Sequence, residues 1–159
     1  MSQLRHTVGS PVGWLECWAA DEAVVEIRFL DDESTVSPGA APTSGVLARL
    51  AVQLGEYFDG IRQAFDVPLA PAGTAFQLAA WQVLRGIPFG STITYAEQAR
   101  RLQRPTAVRA VGGANSRNPL PIVVPCHRVV GASGRLVGFA GGLDRKAWLL
   151  DHERRHKPG

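Results

Sequence analysis

One breaker-rich linker, Pro68-Leu-Ala-Pro-Ala-Gly73, lies where the charge of the chain changes sign, and no other sequence feature limits the fold as much. Residues 1–71 carry four arginines against ten acids, a net of −6. Residues 72–159 carry eleven arginines and two lysines against four acids, a net of +9. At 159 residues the chain has the length of one domain or two small ones. The linker decides for two, over 1–71 and 72–159. Hydrophobic residues make up 45% and charged residues 19%, which excludes disorder, collagen and coiled coil. No apolar run nears the roughly 18 residues of a membrane span. Met1-Ser-Gln-Leu-Arg-His-Thr7 has no apolar segment of the secretory kind. Two cysteines do not make a disulfide framework and point to a reducing cytoplasm. An acidic half joined to a basic half is a cue for a polyanionic partner, although an arginine-rich solvated surface produces the same counts.

The first thirty residues read as a hairpin, with Trp14, Cys17 and Trp18 before an Asp21-Glu22 turn and a β-rich run over 23–29. A polar, breaker-rich loop over 31–42 leads to Thr43/Ser44 caps. Leu47, Leu50, Ala51, Leu54, Tyr57 and Phe58 then recur at helical steps until Asp59-Gly60. Phe65-Asp-Val67 reads as a returning strand.

The second half is mostly short helices. Thr74 caps one with apolar positions Phe76, Ala79, Ala80, Val83, Leu84 and Ile87. Pro88-Phe-Gly90 is a turn, and Thr94-Tyr-Ala-Glu97 reads as a capping box in which Glu97 reaches back to the Thr94 amide. A turn at Gln103-Arg-Pro105 leads to a further helix from Thr106, with Val108 and Val111 facing inward. Two short helices joined this tightly, among Arg100, Arg101, Arg104 and Arg109, have the outline of a helix-turn-helix or of a plain helical hairpin. Ile122-Val-Val124 suits a buried strand. Residues 129–137 read as a hairpin that would form a wing, and a closing helix runs from Leu143 to His152.

Cys126 is the sharpest chemical candidate. It follows a proline at the end of an apolar run, and His127 and Arg128 behind it are both able to favour the thiolate, the nucleophilic form. A buried, inert cysteine is the plainer reading for a lone thiol, and neighbours on a strand point to opposite faces. Cys17, between two tryptophans, reads as packing. The histidines His6, His127, His152 and His156 and the two cysteines show no paired spacing for zinc, so neither metal nor cofactor is expected.

Pro125-Cys-His-Arg-Val129, preceded by Asn118-Pro-Leu-Pro-Ile-Val-Val124, resembles the active-site signature of the O6-alkylguanine-DNA alkyltransferases of bacterial type. The resemblance continues at Ile93-Thr-Tyr95, Arg109-Ala-Val-Gly-Gly-Ala114, Gly141-Gly142 and Trp148-Leu-Leu-Asp-His-Glu153, in unbroken order from about Phe76 to Glu153. It implies an α+β fold, with a small ribonuclease-H-like N-terminal domain and a winged helix-turn-helix C-terminal domain.

It also implies roles. Cys126 would be the alkyl acceptor, His127 the base that takes its proton through a water, and Glu153 the carboxylate orienting that histidine. Asn118 would brace the turn before the active-site segment, and Tyr95 would stabilise the departing guanine. Arg109 would be the finger filling the gap left by a flipped nucleotide, with Ala110, Gly112, Arg104 and Tyr95 at the DNA. Val129, Phe139 and Ala140 would line the base pocket. Phe139 stands where many members have tyrosine, and the Ala140 amide would donate to guanine O6. The implied partner is double-stranded DNA carrying O6-alkylguanine, met by a cytoplasmic monomer without a membrane. O4-alkylthymine is left open. The first seventy residues resemble the family only in outline and lack the cysteine–histidine set that holds zinc in some relatives.

Two other classes compete. A non-catalytic duplex binder accounts for the basic half and the helix pair, but not for a Cys, a His and a later Glu at alkyl-transfer separations. Relatives that only sense lesions replace the acceptor cysteine. A cysteine hydrolase needs an oxyanion hole, to which nothing in the sequence points.

Overall fold

The structure is a computed structural model that describes residues 3–31, 42 and 45–158. It is a mixed α/β protein that divides into two compact units, Met1–Ala72 and Gly73–Gly159. The expected loop over 32–41 and the Thr43/Ser44 caps lie outside the described residues.

The first unit is a three-stranded antiparallel meander with one helix. Strands β1 (Leu4–Val8), β2 (Trp14–Ala20) and β3 (Ala23–Leu30) pair in sequence order. The hairpin legible in the sequence is β2–β3, closed by Asp21 and Glu22 at φ of 51° and 62°. Two left-handed residues give a two-residue loop the twist its strands need. Strand β1 carried no signal because it is a polar edge, Leu-Arg-His-Thr-Val, with its first two residues exposed. In β2, Leu15, Cys17 and Ala19 are buried and Trp14, Glu16 and Trp18 alternate with them, the period of a half-buried strand. Helix α1 (Gly45–Phe58) supplies Val46, Leu47, Leu50, Leu54 and Tyr57 to the core.

The expected strand over 65–67 is not formed. Gln53 of α1 takes both backbone groups of Asp66, accepting from its N–H at 2.8 Å and donating to its carbonyl at 3.2 Å. That side chain occupies the groups a ladder would use, and Pro68 has no N–H to offer. Only Leu69 pairs, with Val24.

The second unit begins at helix α2 (Ala75–Arg85). Thr74 caps it in a full capping box with Gln77. Its buried stripe is Ala80, Trp81 and Leu84. The Trp81 indole donates to the Ala114 carbonyl at 2.8 Å, and a Cβ on Gly73 would stand 2.6 Å from the Trp81 ring. A two-residue strand β4 (Ile93–Thr94) runs straight into α3 (Tyr95–Arg101), and α4 (Val108–Ser116) follows. Thr94 accepts from the Glu97 amide, but the capping box is only half made. The Glu97 carboxylate is drawn forward to Arg100 and Arg101, where it gains charge-assisted bonds instead of an amide. Val111 is buried as expected, whereas Val108 is 38% exposed, because α4 starts there with no turn above to cover it.

Two further expectations fail between α4 and the last helix. Residues 122–124 form a turn and not a strand. Pro121 and Pro125 remove two donors, and the remaining bonds are local, from Val124 to Leu120 and from Cys126 to Val124. The wing hairpin over 129–137 is also absent. Strand β5 (Val129–Val130) pairs in parallel with β4, and a 3₁₀ turn over Ala132–Gly134 follows. One bond, from the Gly131 amide to the Arg135 carbonyl, is all that joins the arms. Helix α5 (Leu143–His156) closes the unit one turn beyond its expected end. No described helix is long and apolar enough to cross a membrane.

Candidate active site

All ten residues from 121 to 130 are buried, and Cys126 lies among them, 7% exposed. The Asn118 side chain shapes this segment. It donates to the Val124 carbonyl at 2.8 Å and accepts from the Leu120 amide at 2.9 Å, clamping the turn at both ends. Ile122 sits within that turn at φ 74°, a left-handed conformation rare for a β-branched residue. Cys126, His127 and Arg128 then form one 3₁₀ turn leading into β5.

A charged cluster is buried behind the thiol. His127 is fully buried, and its Nε2–H donates to Glu153 Oε2 at 2.6 Å. With that proton on Nε2, Nδ1 carries the lone pair, and among the described residues no atom hydrogen-bonds to it. Arg128 grips the same carboxylate with two donors, Nε to Oε1 at 2.8 Å and Nη2 to Oε2 at 3.0 Å. Its Nη1 donates to the Ile87 carbonyl at 2.6 Å. The Gly90 amide adds a bond to Oε1 at 3.2 Å. Gly90 is at φ +80°, and a Cβ there would stand 2.9 Å from Lys157, so glycine is required at this approach.

The electrostatics follow from this geometry. Burial alone would push the Glu153 carboxyl up, but the bonds and charges of His127 and Arg128 hold it well below the usual carboxylate range. Burial holds His127 below the ordinary histidine range, with Glu153 pulling the other way. The resting cluster is therefore a neutral imidazole beside an Arg⁺–Glu⁻ pair. Burial pushes the Cys126 thiol up, while a hydrogen bond from Asn118 and the charge of Lys146 oppose it.

The sequence expectation for the thiol needs correction here. Arg128 is spent on Glu153 and does not favour the thiolate; that part falls to Asn118 and Lys146. Lys146 was missed. It is fully buried, and its Nζ donates to the Val137 carbonyl at 2.8 Å and to the Tyr95 hydroxyl at 3.4 Å. The signal was present, since Lys146, Leu149 and Glu153 fall at three- and four-residue steps along one helical stripe.

Tyr95 is half-buried, and its hydroxyl donates to the Val137 carbonyl at 3.0 Å. Burial and the neighbouring Cys126 both raise its pKa. Val129 is fully buried in β5, whereas Phe139 is half-buried and Ala140 exposed. On α4, Arg109 and Ala110 are exposed and Gly112 is half-buried. Arg104 is exposed in the turn before α4, 5.9 Å above the Phe76 ring. Behind the face of α4, Gln98 and Asn115 exchange two buried amide bonds of 3.0 and 2.7 Å.

A cavity of about 440 Å³ adjoins Glu153, walled by Gly90, Val130, Leu136 and Leu150 among others, and Cys126 is not in its wall. Among the described residues no group of three or more His, Cys, Asp or Glu could hold a metal ion.

A mixed α/β protein with a cysteine set before a buried His–Glu–Arg cluster is the class that fold and site define. Residues 75–155 match the family described as 6-O-methylguanine DNA methyltransferase, DNA binding domain. A methylated-DNA–protein-cysteine methyltransferase of Mycolicibacterium paratuberculosis is 46% identical, covering 96% of this chain and 93% of its own. One of Methanosarcina mazei is 42% identical over 95% and 97%. The crystal structure of the Mycobacterium tuberculosis O6-methylguanine methyltransferase superposes with a TM-score of 0.87 at 37% identity, covering 99% of this chain and 96% of that one. The crystal structure of Mycobacterium tuberculosis OGT in complex with DNA gives 0.85 at 40% identity, over 98% and 95%. The chain belongs to the methylated-DNA–protein-cysteine methyltransferase family.

Proposed function

We propose that this protein repairs alkylated DNA by moving the alkyl group from guanine O6 to its own Cys126, once per molecule. The observation that carries the reading is the state of His127, whose Nε2–H is fixed on Glu153 while its Nδ1 has no hydrogen-bond partner among the described residues. That nitrogen is a base waiting for a proton, and the thiol of the preceding residue is its source, reached across one water.

The chemistry is a displacement at carbon. The sulfur of Cys126 forms a bond to the alkyl carbon as the bond from that carbon to O6 breaks. The electron pair leaves on the guanine, and the thiol proton passes to His127, whose new charge Glu153 stabilises. The Tyr95 hydroxyl exchanges its Val137 partner for the departing base, and the Ala140 amide donates to O6. Water cannot reverse the thioether, so the acceptor is consumed.

An alkylated guanine lies inside the duplex stack, and its nucleotide must be turned out at a cost of a few kcal/mol. Helices α3 and α4 act as the helix-turn-helix that holds the duplex. Arg109, exposed on α4, fills the gap in the stack. Arg104, Ala110 and Gly112 border it. The loop over 131–142 stands in the place of a wing. The unit over 1–72 takes the part of the ribonuclease-H-like supporting domain that the family resemblance implies.

Intact-mass analysis after exposure to a duplex bearing O6-methylguanine tests this reading, with one methyl expected on the peptide holding Cys126. An unmodified peptide after complete exposure refutes it and leaves a duplex binder. Arg109→Ala should slow repair of duplex DNA more than reaction with free benzylated guanine, which needs no flipping. Equal losses on both substrates would remove the finger.

A further inference from the structure

Alkyl transfer needs a thiol, a base and a carboxylate, and the structure adds a fourth group to which that chemistry gives no role. Arg128 is 6% exposed, a guanidinium withdrawn from water. Its donors are aimed at both oxygens of Glu153 and at the Ile87 carbonyl, and its face lies 5.8 Å from the centre of the Phe89 ring. Burying a cation is costly unless every donor is used, and a two-pronged grip fixes the plane of the carboxylate it holds.

We propose that Arg128 is a positioning residue for the reaction: by holding both oxygens of Glu153 it aims Oε2 at His127 and offsets the carboxylate's charge, so that the imidazole stays neutral and able to take the thiol proton. The proposal rests on the reading of Cys126 as acceptor.

The argument is one of charge. A bare buried carboxylate 2.6 Å from an imidazole would draw a proton onto the ring and leave it as imidazolium, which cannot act as a base. The guanidinium balances that carboxylate, and the resting cluster carries no net charge. The charged and titratable groups acting on His127 are Arg128 in its own turn and Glu153 and Lys146 from α5. Lys146 is directed at Val137 and Tyr95 and leaves the carboxylate to Arg128. When His127 accepts the proton, the new cation finds Glu153 already oriented, and no side chain has to move.

Two readouts test this. The first is an NMR titration of labelled His127, which requires no substrate. The second is the pH–rate profile of benzyl transfer from free O6-benzylguanine, which requires no DNA. In Arg128→Gln, His127 should titrate about one pH unit higher than in the unaltered protein. The acid limb of the rate should move with it, making transfer about tenfold slower below that limb. Arg128→Lys keeps the charge and loses the fork, so the titration should return while the rate recovers only in part.

A His127 that titrates unchanged in Arg128→Gln, with a rate reduced only in proportion to the folded fraction, would overturn the proposal and leave Arg128 a purely structural residue. Should Arg128→Gln fail to fold, full activity in Arg128→Lys would overturn the fork argument. An unaltered protein that takes no benzyl group removes the reading of Cys126 instead, and the titration then decides for or against Arg128 alone.

Discussion

Two thiols are almost equally hidden, one in the β1–β3 sheet and one in the turn before β5, and their surroundings differ in kind. Cys17 lies in an apolar row between Leu15 and Ala19, and among the described residues its thiol makes one long contact, to the Leu15 carbonyl. Burial first, and then Glu16, push it up to about 12. Burial also raises Cys126, but there an amide and an ammonium oppose it, and a neutral imidazole held on a carboxylate follows in the chain. Burial alone makes a thiol inert, and the polar groups behind Cys126 give the same burial the low-dielectric setting that the proposed reaction needs.

The hardest break of this contrast is Cys126→Ser. It should abolish the mass gain on a lesion duplex, whereas Cys17→Val should leave that gain intact. Next in size is Glu153→Gln, which strands Arg128 in the interior without a counter-charge. Urea unfolding should show a loss of about 3–5 kcal/mol. Gln98→Leu leaves both side-chain amide groups of Asn115 unsatisfied behind α4 and takes from the Ala80 carbonyl the second of its two donors. It should cost about 1–3 kcal/mol in the same experiment and slow reaction with duplex more than with free base. Cys17→Val should be the mildest, at about 1 kcal/mol, the cost of seating one extra methyl group in a packed apolar row.

Acid should separate the two regions as well. His127 is held down by burial and Glu153 by its partners, so the unfolded chain takes up protons that the folded one refuses. Stability is complete above the unfolded values. It should fall first below about pH 6.5, as His127 is called on to charge, and further below about pH 4.3, as Glu153 is. Thermal melts across that range should show both segments. In His127→Gln the upper one should flatten, and equal steepness there would disconnect the cluster from acid sensitivity.

Where local periodicity decides the structure, the sequence was readable. Leu47, Leu50, Leu54 and Tyr57 marked α1, Thr74 marked the start of α2, and the Asp21-Glu22 turn lay between two strands as drawn. Where a distant side chain or a competing partner decides, it was not. Gln53 captured Asp66, two arginines captured Glu97, β4 captured β5, and paired prolines turned an apolar run into a knot of local bonds. The candidate site divides along the same line. Cys126 stood out from its proline, histidine and arginine neighbours, whereas the role of His127 and the places of Glu153, Asn118 and Tyr95 were reached through resemblance, not periodicity. The true partners of Arg128 and Lys146 depend on how α5 packs, which no local pattern reports.

The parallel ladder of Ile93 with Val129 and Thr94 with Val130 has only two rungs. At one end of it the chain enters α3 through Tyr95, and at the other it leaves the turn holding Cys126. Those rungs set the spacing between phenol and sulfur. Deleting one residue at 91–92 and letting the ladder slip a single step would displace the hydroxyl by about 3.3 Å, further than a hydrogen bond is long. Substitutions at Phe139 and Ala140, the residues proposed to line the base pocket, lie off the ladder and should disturb that spacing less than any change along it.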